Sequence, residues 1–338
     1  MSQQPLPSPV IEVPREPRGF ADIRASDRVQ GFLFTLPALL VLGIFLAYPA
    51  YYTVRLAFYK GDFLYGFSGY LGLGNFKELL TNDPSFFDPS AFAPTVNGHF
   101  PWFHHLLPGG ALMNNLQWVI FYITLSLIFG LGLAVLAVRV RYERIVKSAV
   151  FVPMAISATA VGLIWLFVYS PDLNQGVVNA AIHAVDHGFH PIAWVGRPST
   201  VNYALIFAYV WASTGFVMVV LSAAIKGIST EVLEAARVDG AGEWAIFRRV
   251  MVPMLSLPIA VVTVWLFINV IKVFDIIYVM TGGGPGTTSR VIAYTMYEET
   301  FAGGRPGYGA AVATLMLVLI LPVMILNVRR FRSERVTN

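Results

Sequence analysis

The chain has 338 residues, of which 56% are hydrophobic and only 12% charged, with a mean hydropathy of +0.65. Soluble domains carry about 25% charged residues, so the composition excludes an ordinary soluble protein and implies an all-α, polytopic membrane protein. No cysteine is present, which excludes disulfides, thiol nucleophiles and cysteine metal sites; the net charge of +4 would suit nucleic acid, but the basic residues stand beside apolar runs, where membrane topology explains them.

Residues 1–30 hold Pro5, Pro7, Pro9, Pro14 and Pro17 among scattered charges and read as a flexible tail. The apolar run that follows is too long for a signal peptide and lacks a small-residue cleavage site. Six spans are expected, at about 31–58, 116–138, 148–169, 201–225, 257–280 and 308–328, within one membrane domain over 31–330; a short tail, 331–338, follows. Sixteen of the 23 Lys and Arg residues fall in the tails and in the loops after spans 2 and 4. That side is therefore cytoplasmic, with both termini on it.

The outer loops carry Gly72-Leu73-Gly74-Asn75-Phe76, then Asn174, Gly176 and Asn179, then the glycine cluster Gly282-Gly283-Gly284-Pro285. A phosphate-cradling loop needs a Lys after its last glycine, and Thr287 stands in that place. All six histidines lie in outer loops: His99, His104, His105, His183, His187 and His190. The 183, 187, 190 spacing would face one way on a helix, as a metal site or as a solvated face; with no carboxylate cluster nearby, no metal is assigned.

Lys272 and Asp275, three residues apart in the fifth span, are expected on one helical face. They read either as a self-satisfied pair near the outer interface or as a substrate or gate contact; a proton relay would suit a secondary transporter. Spans 4 and 5 also carry Tyr209, Trp211, Ser213, Thr214, Gly215, Phe216, Trp265 and Asn269. Aromatic rings beside hydrogen-bonding groups suit sugars, while Ser, Thr and Gly equally suit helix packing. No hydrolase triad or paired-carboxylate site appears, so this subunit is expected to have no chemistry of its own.

Between spans 4 and 5 lies a polar, helix-prone stretch, 231–253. Ala235 and Ala236 favour helix and let another surface approach. Gly240 and Gly242 allow a bend, and Pro253 limits the second segment. The stretch reads as two short cytoplasmic helices forming a docking surface.

Glu234, Ala235, Ala236, Asp239 and Gly240, followed by Val250, Val252 and Pro253, resemble the Glu-Ala-Ala loop of binding-protein-dependent ABC importer permeases, and the segment 275–285 resembles one that follows the fifth helix of sugar permeases in the maltose and α-glucoside family. The resemblance implies the six-helix type I permease fold and half of a sugar translocation pathway in a prokaryotic cell membrane. It implies ATPase coupling through Glu234, Ala235, Ala236, Asp239, Gly240 and Pro253. It implies a substrate pathway near Tyr209, Trp211, Ser213, Phe216, Asn269 and Lys272, and an outer gate or binding-protein contact at Gly282, Gly283, Gly284 and Pro285. The implied partners are a second homologous permease, an ATPase dimer holding ATP and Mg, an extracytoplasmic solute-binding protein and the sugar. No cofactor is implied on this chain. A di- or oligosaccharide such as an α-glucoside is the expected substrate, with glycerol-phosphate-type or other polyols as the alternative and a secondary transporter as a further one.

Overall fold

The computed structural model describes residues 25–64, 66–88 and 110–336. The chain divides into two compact units, Met1–Tyr52 and Thr53–Asn338. In the first, helix α1 (Ala25–Leu42) continues through a wide turn, Gly43–Ala47, into α2 (Tyr48–Leu56), whose last residues belong to the second unit. Helix α1 thus begins inside the segment read as a tail, and the rest of that tail lies outside the described residues.

Three spans of the second unit lie on long helices: α4 (Ala111–Arg139), α8 (Val201–Lys226) and α15 (Pro306–Val336). The last runs through most of the segment read as a C-terminal tail. With the span Gln30–Leu56, four helices among the described residues are long and apolar enough to cross a membrane. Two bent pairs supply the other two: Glu143–Ala155 with Ala158–Val168, bent by 101°, and Glu243–Met254 with Ser256–Ile271, bent by 69°. Among the described residues no strand forms, and the six-span all-α expectation holds.

The third and fifth spans, expected at about 148–169 and 257–280, are both interrupted. Helix α5 (Glu143–Phe151) ends in a 3-10 turn opened by Pro153; Ile156 is extended, and Ser157 caps α6 (Ala158–Val168) by accepting from the Ala160 amide at 3.3 Å. Proline removes a helical donor, which ends the first segment, and the Ser157 hydroxyl supplies an acceptor to a free amide at the start of the second. Helix α12 (Ser256–Ile271) stops at Lys272, and Phe274, at φ −141°, separates it from α13 (Asp275–Met280). Lys272 and Asp275 therefore do not share a helical face, and no ion pair joins them.

Glycines set how closely the spans approach. A Cβ at Gly130 of α4 would lie 2.4 Å from Val217 of α8, and one at Gly215 would lie 2.4 Å from the Val150 carbonyl of α5. Trp118, Tyr122, Leu205, Met218, Leu221 and Leu266 fill the core between α4, α8 and α12. Gly162 brings α6 against Val279 and Met280 of α13.

The loops carrying Asn75 and Asn179 are held by buried amides. Asn75, on the short helix α3 (Gly74–Lys77), donates to the carbonyls of Ala57 (2.8 Å) and Tyr59 (2.7 Å). Asn179, on α7 (Val177–Val185), donates to the carbonyls of Ser170 (2.7 Å) and Ile192 (3.0 Å) and accepts from the Ile192 amide (3.0 Å) and the Trp194 indole (3.2 Å). Because α7 ends at Val185, His183, His187 and His190 do not share a helix, although the rings of the first two lie 5.7 Å apart. Among the described residues no three metal-ligating side chains gather; His99, His104 and His105 lie outside those residues.

Asn179 is fully buried, so Asn179→Leu strands two carbonyls and two donors. The expected cost is on the order of 2–4 kcal/mol, read as a lower melting temperature of the detergent-solubilised protein.

Candidate functional site

Helix α9 (Thr230–Val238) starts at Ser229, whose hydroxyl accepts from the Glu231 amide at 3.2 Å. Its end is closed by the Asp239 amide on the Ala235 carbonyl, Gly240 on Arg237 and Ala241 on Ala236, at 2.9–3.0 Å. Gly240 adopts φ +81° in open space, a left-handed helix end. Across the bend Arg237 Nε pairs with Glu243 Oε1 at 3.0 Å. Helix α10 (Glu243–Ile246), a wide turn at Phe247–Met251 and α11 (Val252–Met254) return the chain to α12. Ile246 anchors the loop in the core, while Glu234, Ala235, Asp239, Gly240 and Pro253 are exposed and Ala236 is half-buried. Val238 and Trp244 are 87% and 72% exposed. The loop presents a bare surface of apolar, acidic and basic side chains.

The candidates in spans 4 and 5 separate into two groups. Phe216 lies against Trp265, ring centroids 4.2 Å apart, and the Asn269 amide donates to the Trp265 carbonyl at 2.8 Å. Two helical turns from Phe216, Tyr209 packs at 5.0 Å from Tyr122, whose hydroxyl donates to Ser213 at 2.8 Å. Ser213 is buried and already used as an acceptor. Trp211 is turned away: it meets Trp165 at 5.8 Å and, with Phe129, Phe207 and Thr214, lines a separate cavity of about 410 Å³. Lys272 and Asp275 are exposed at the break in the fifth span. Phe216 stands ten residues from the Lys226 end of α8, about 15 Å along the axis, which is half the thickness of a bilayer core.

The glycine loop is braced rather than loose. Gly282, Gly283 and Gly286 take φ of +56°, +81° and +60°. Ser289 donates through its hydroxyl to the Gly284 carbonyl (2.6 Å) and through its amide to Gly283 (3.2 Å); Thr288 donates to the Pro285 carbonyl. Buried amides then tie the loop to the spans. Asn202 of α8 donates to the Thr288 carbonyl (2.9 Å) and to Asn114 of α4 (3.0 Å), and Asn114 donates to the Arg290 carbonyl (2.7 Å). Asn115 donates to the Val270 carbonyl (3.1 Å) and accepts from the Ile292 amide (2.7 Å) that opens α14 (Ile292–Tyr297). Sequence reading missed these residues; the signal was an Asn-Asn pair and a lone Asn at the outer ends of apolar runs. Nearby, Arg305 pairs with Glu78 at 2.5 Å and Glu299 at 3.2 Å, and Tyr308 donates to Asp83 at 2.5 Å. Burial pushes the Glu299 carboxyl up despite Arg305. Burial also pushes on Asp83, but hydrogen bonds from Ser85 and Tyr308 outweigh it and hold that carboxyl down.

A family model described as the binding-protein-dependent transport system inner membrane component matches residues 126–332. The chain belongs to this family. The resemblance to permeases of binding-protein-dependent sugar ABC importers is thereby borne out. The permease is 40% identical over 306 residues to the osmoprotective compounds uptake permease protein GgtC of Synechocystis sp., covering 89% of this chain and 99% of the relative. It is 35% identical over 318 residues to the alpha-glucoside transport system permease protein AglF of Rhizobium meliloti, covering 93% and 85%. In fold it resembles a chain of a bacterial alginate ABC transporter crystallised with an alginate pentasaccharide-bound periplasmic protein, with a TM-score of 0.69, 23% identity and coverage of 93% and 96%.

A Cβ at Gly283 would lie 2.7 Å from the Tyr294 ring, and its φ disfavours any L side chain. Gly283→Ala is expected to cost about 2 kcal/mol and to loosen 281–290, read as faster hydrogen exchange there than in α8.

Proposed function

We propose that the permease forms half of the pathway of an ATP-driven importer of di- or oligosaccharides, with α-glucosides the favoured class. The observation that carries this reading is the capped, bent loop 231–253, exposed between two core spans. Its bare surface needs a partner, and an ATPase dimer holding ATP and Mg meets that need. In this reading Glu234 pairs with a basic group in the ATPase cleft; Ala235, Ala236, Asp239, Gly240 and Pro253 seat the loop. Closure of the ATPases on ATP draws this loop and that of a second homologous permease together, rocks the spans and opens the midplane cavity outward. Hydrolysis resets it. Both termini face the cytoplasm, with residues 31–330 as the membrane domain.

Phe216, Trp265 and Asn269 offer a pyranose two aromatic surfaces and an amide at mid-membrane depth, where transporter sites lie. Tyr209, Trp211, Ser213 and Lys272 complete the pathway set, Lys272 at its outer end. The loop at Gly282, Gly283, Gly284 and Pro285 serves as the outer gate and as a contact for the solute-binding protein. The name of the α-glucoside relative supports this substrate class. The name of the osmoprotective-compounds relative keeps open the second reading, a glycerol-phosphate-type or other polyol substrate.

Glu234→Lys is expected to lower uptake at least tenfold while the complex still co-purifies with its ATPase; normal uptake, or uptake in vesicles without ATP, overturns the coupling reading. Trp265→Ala is expected to raise the trehalose or maltose concentration for half-maximal uptake roughly tenfold, the equivalent of one lost stacking surface.

A further inference from the structure

Glu143 opens α5 and holds two lysines at once: Oε1 lies 2.6 Å from Lys147 Nζ and Oε2 lies 2.7 Å from Lys226 Nζ. The first pair joins residues one helical turn apart. The second joins separate elements, because Lys226 is the last residue of α8, four residues before the first residue of the docking helix α9. The Glu143 and Lys147 side chains are 20% and 23% exposed, and Lys226 is 51% exposed, so water reaches the pair that crosses to α8 and its role is to position α5 rather than to add stability. Helix α5 is thus fastened to α8 twice. Gly215 lets the Val150 carbonyl of α5 approach α8 closely, and Glu143 grips the end of α8 that leads into the docking loop. Beyond α5, the 101° bend leads to α6, which packs through Gly162 on α13. The glycine gate loop follows directly from α13.

We propose that Glu143 is a positioning residue that couples the docking loop to the outer gate. Displacement of α9 pulls on Lys226. Glu143 passes that displacement to α5, and the bent α5–α6 pair passes it to α13 and the gate. With the brace broken, α8 and the docking loop move while α5 stays behind. The proposal rests on the coupling reading of 231–253 given above.

The test uses the complete importer with its ATPase and binding protein in proteoliposomes, with labelled trehalose as probe and ATP hydrolysis measured in parallel. Glu143→Lys is expected to lower uptake at least tenfold while ATP hydrolysis stays within about twofold of the parent, so that sugar moved per ATP falls. Inverting the whole cluster, Glu143→Lys with Lys147→Glu and Lys226→Glu, is expected to restore uptake to within about threefold. Normal uptake by Glu143→Lys overturns the proposal. So does an inverted cluster no better than Glu143→Lys, including one that fails to repair an assembly defect, since a charge brace is indifferent to which side carries which sign. Glu234→Lys runs alongside. If it too transports normally, the docking-loop reading falls; if it alone is blocked, only the brace falls.

Discussion

The structure depends on supplying hydrogen-bond partners to backbone that is not helical at or near membrane depth. An unsatisfied peptide group in hydrocarbon costs several kcal/mol, and this chain interrupts its helices at each outer loop. Asparagine side chains meet the need. Asn75, Asn114, Asn115, Asn179 and Asn202 are all less than 10% exposed, and each reaches a backbone carbonyl away from its own helix. An amide both donates and accepts, so one side chain can close both halves of a broken ladder. Asn115 does this for the junction between Val270 and Ile292, and Asn179 does it for the loop after α6.

Given those clamps, the spans can bend without losing definition. The bends at 152–157 and 254–256 are built from proline, short 3-10 or wide turns and one serine cap, so each has a local cause. The long helices α4 and α8 form the frame; Gly130 brings α4 close to α8, and Gly215 brings α5 close to α8. The loop 231–253 leaves one end of that frame and the glycine loop closes the other. The two places proposed to move are therefore joined by rigid packed elements.

Much of this could be read from residue order. Composition and the apolar runs yield six spans, and the Ala-Ala and Gly240 pattern yields two helices with a bend between them. The breaks inside spans 3 and 5 were less legible. Pro153 lies at the first, but nothing between Ile271 and Asp275 announces that α12 stops; there the Val270 carbonyl is shared between the Val273 amide and the distant Asn115 side chain. The polar and aromatic set in span 4 shows the opposite limit. Residues 209–216 look alike as a string, yet the helical period turns Trp211 toward Trp165 while Phe216 meets Trp265. Span membership was legible; which side of the span each ring occupies required the packing partner. The glycine loop looked flexible by composition and is held by amides more than 80 residues away along the chain.

Gly240 and Gly283 share a φ of +81° but differ in what surrounds them. Around Gly283 the space is taken, so an added methyl meets the Tyr294 ring as well as an unfavourable φ. Around Gly240 nothing lies within 4 Å of where a methyl would stand. L-alanine there carries only the backbone penalty of about 1–2 kcal/mol. At the bend of the docking loop it is handedness alone, and not room, that demands glycine.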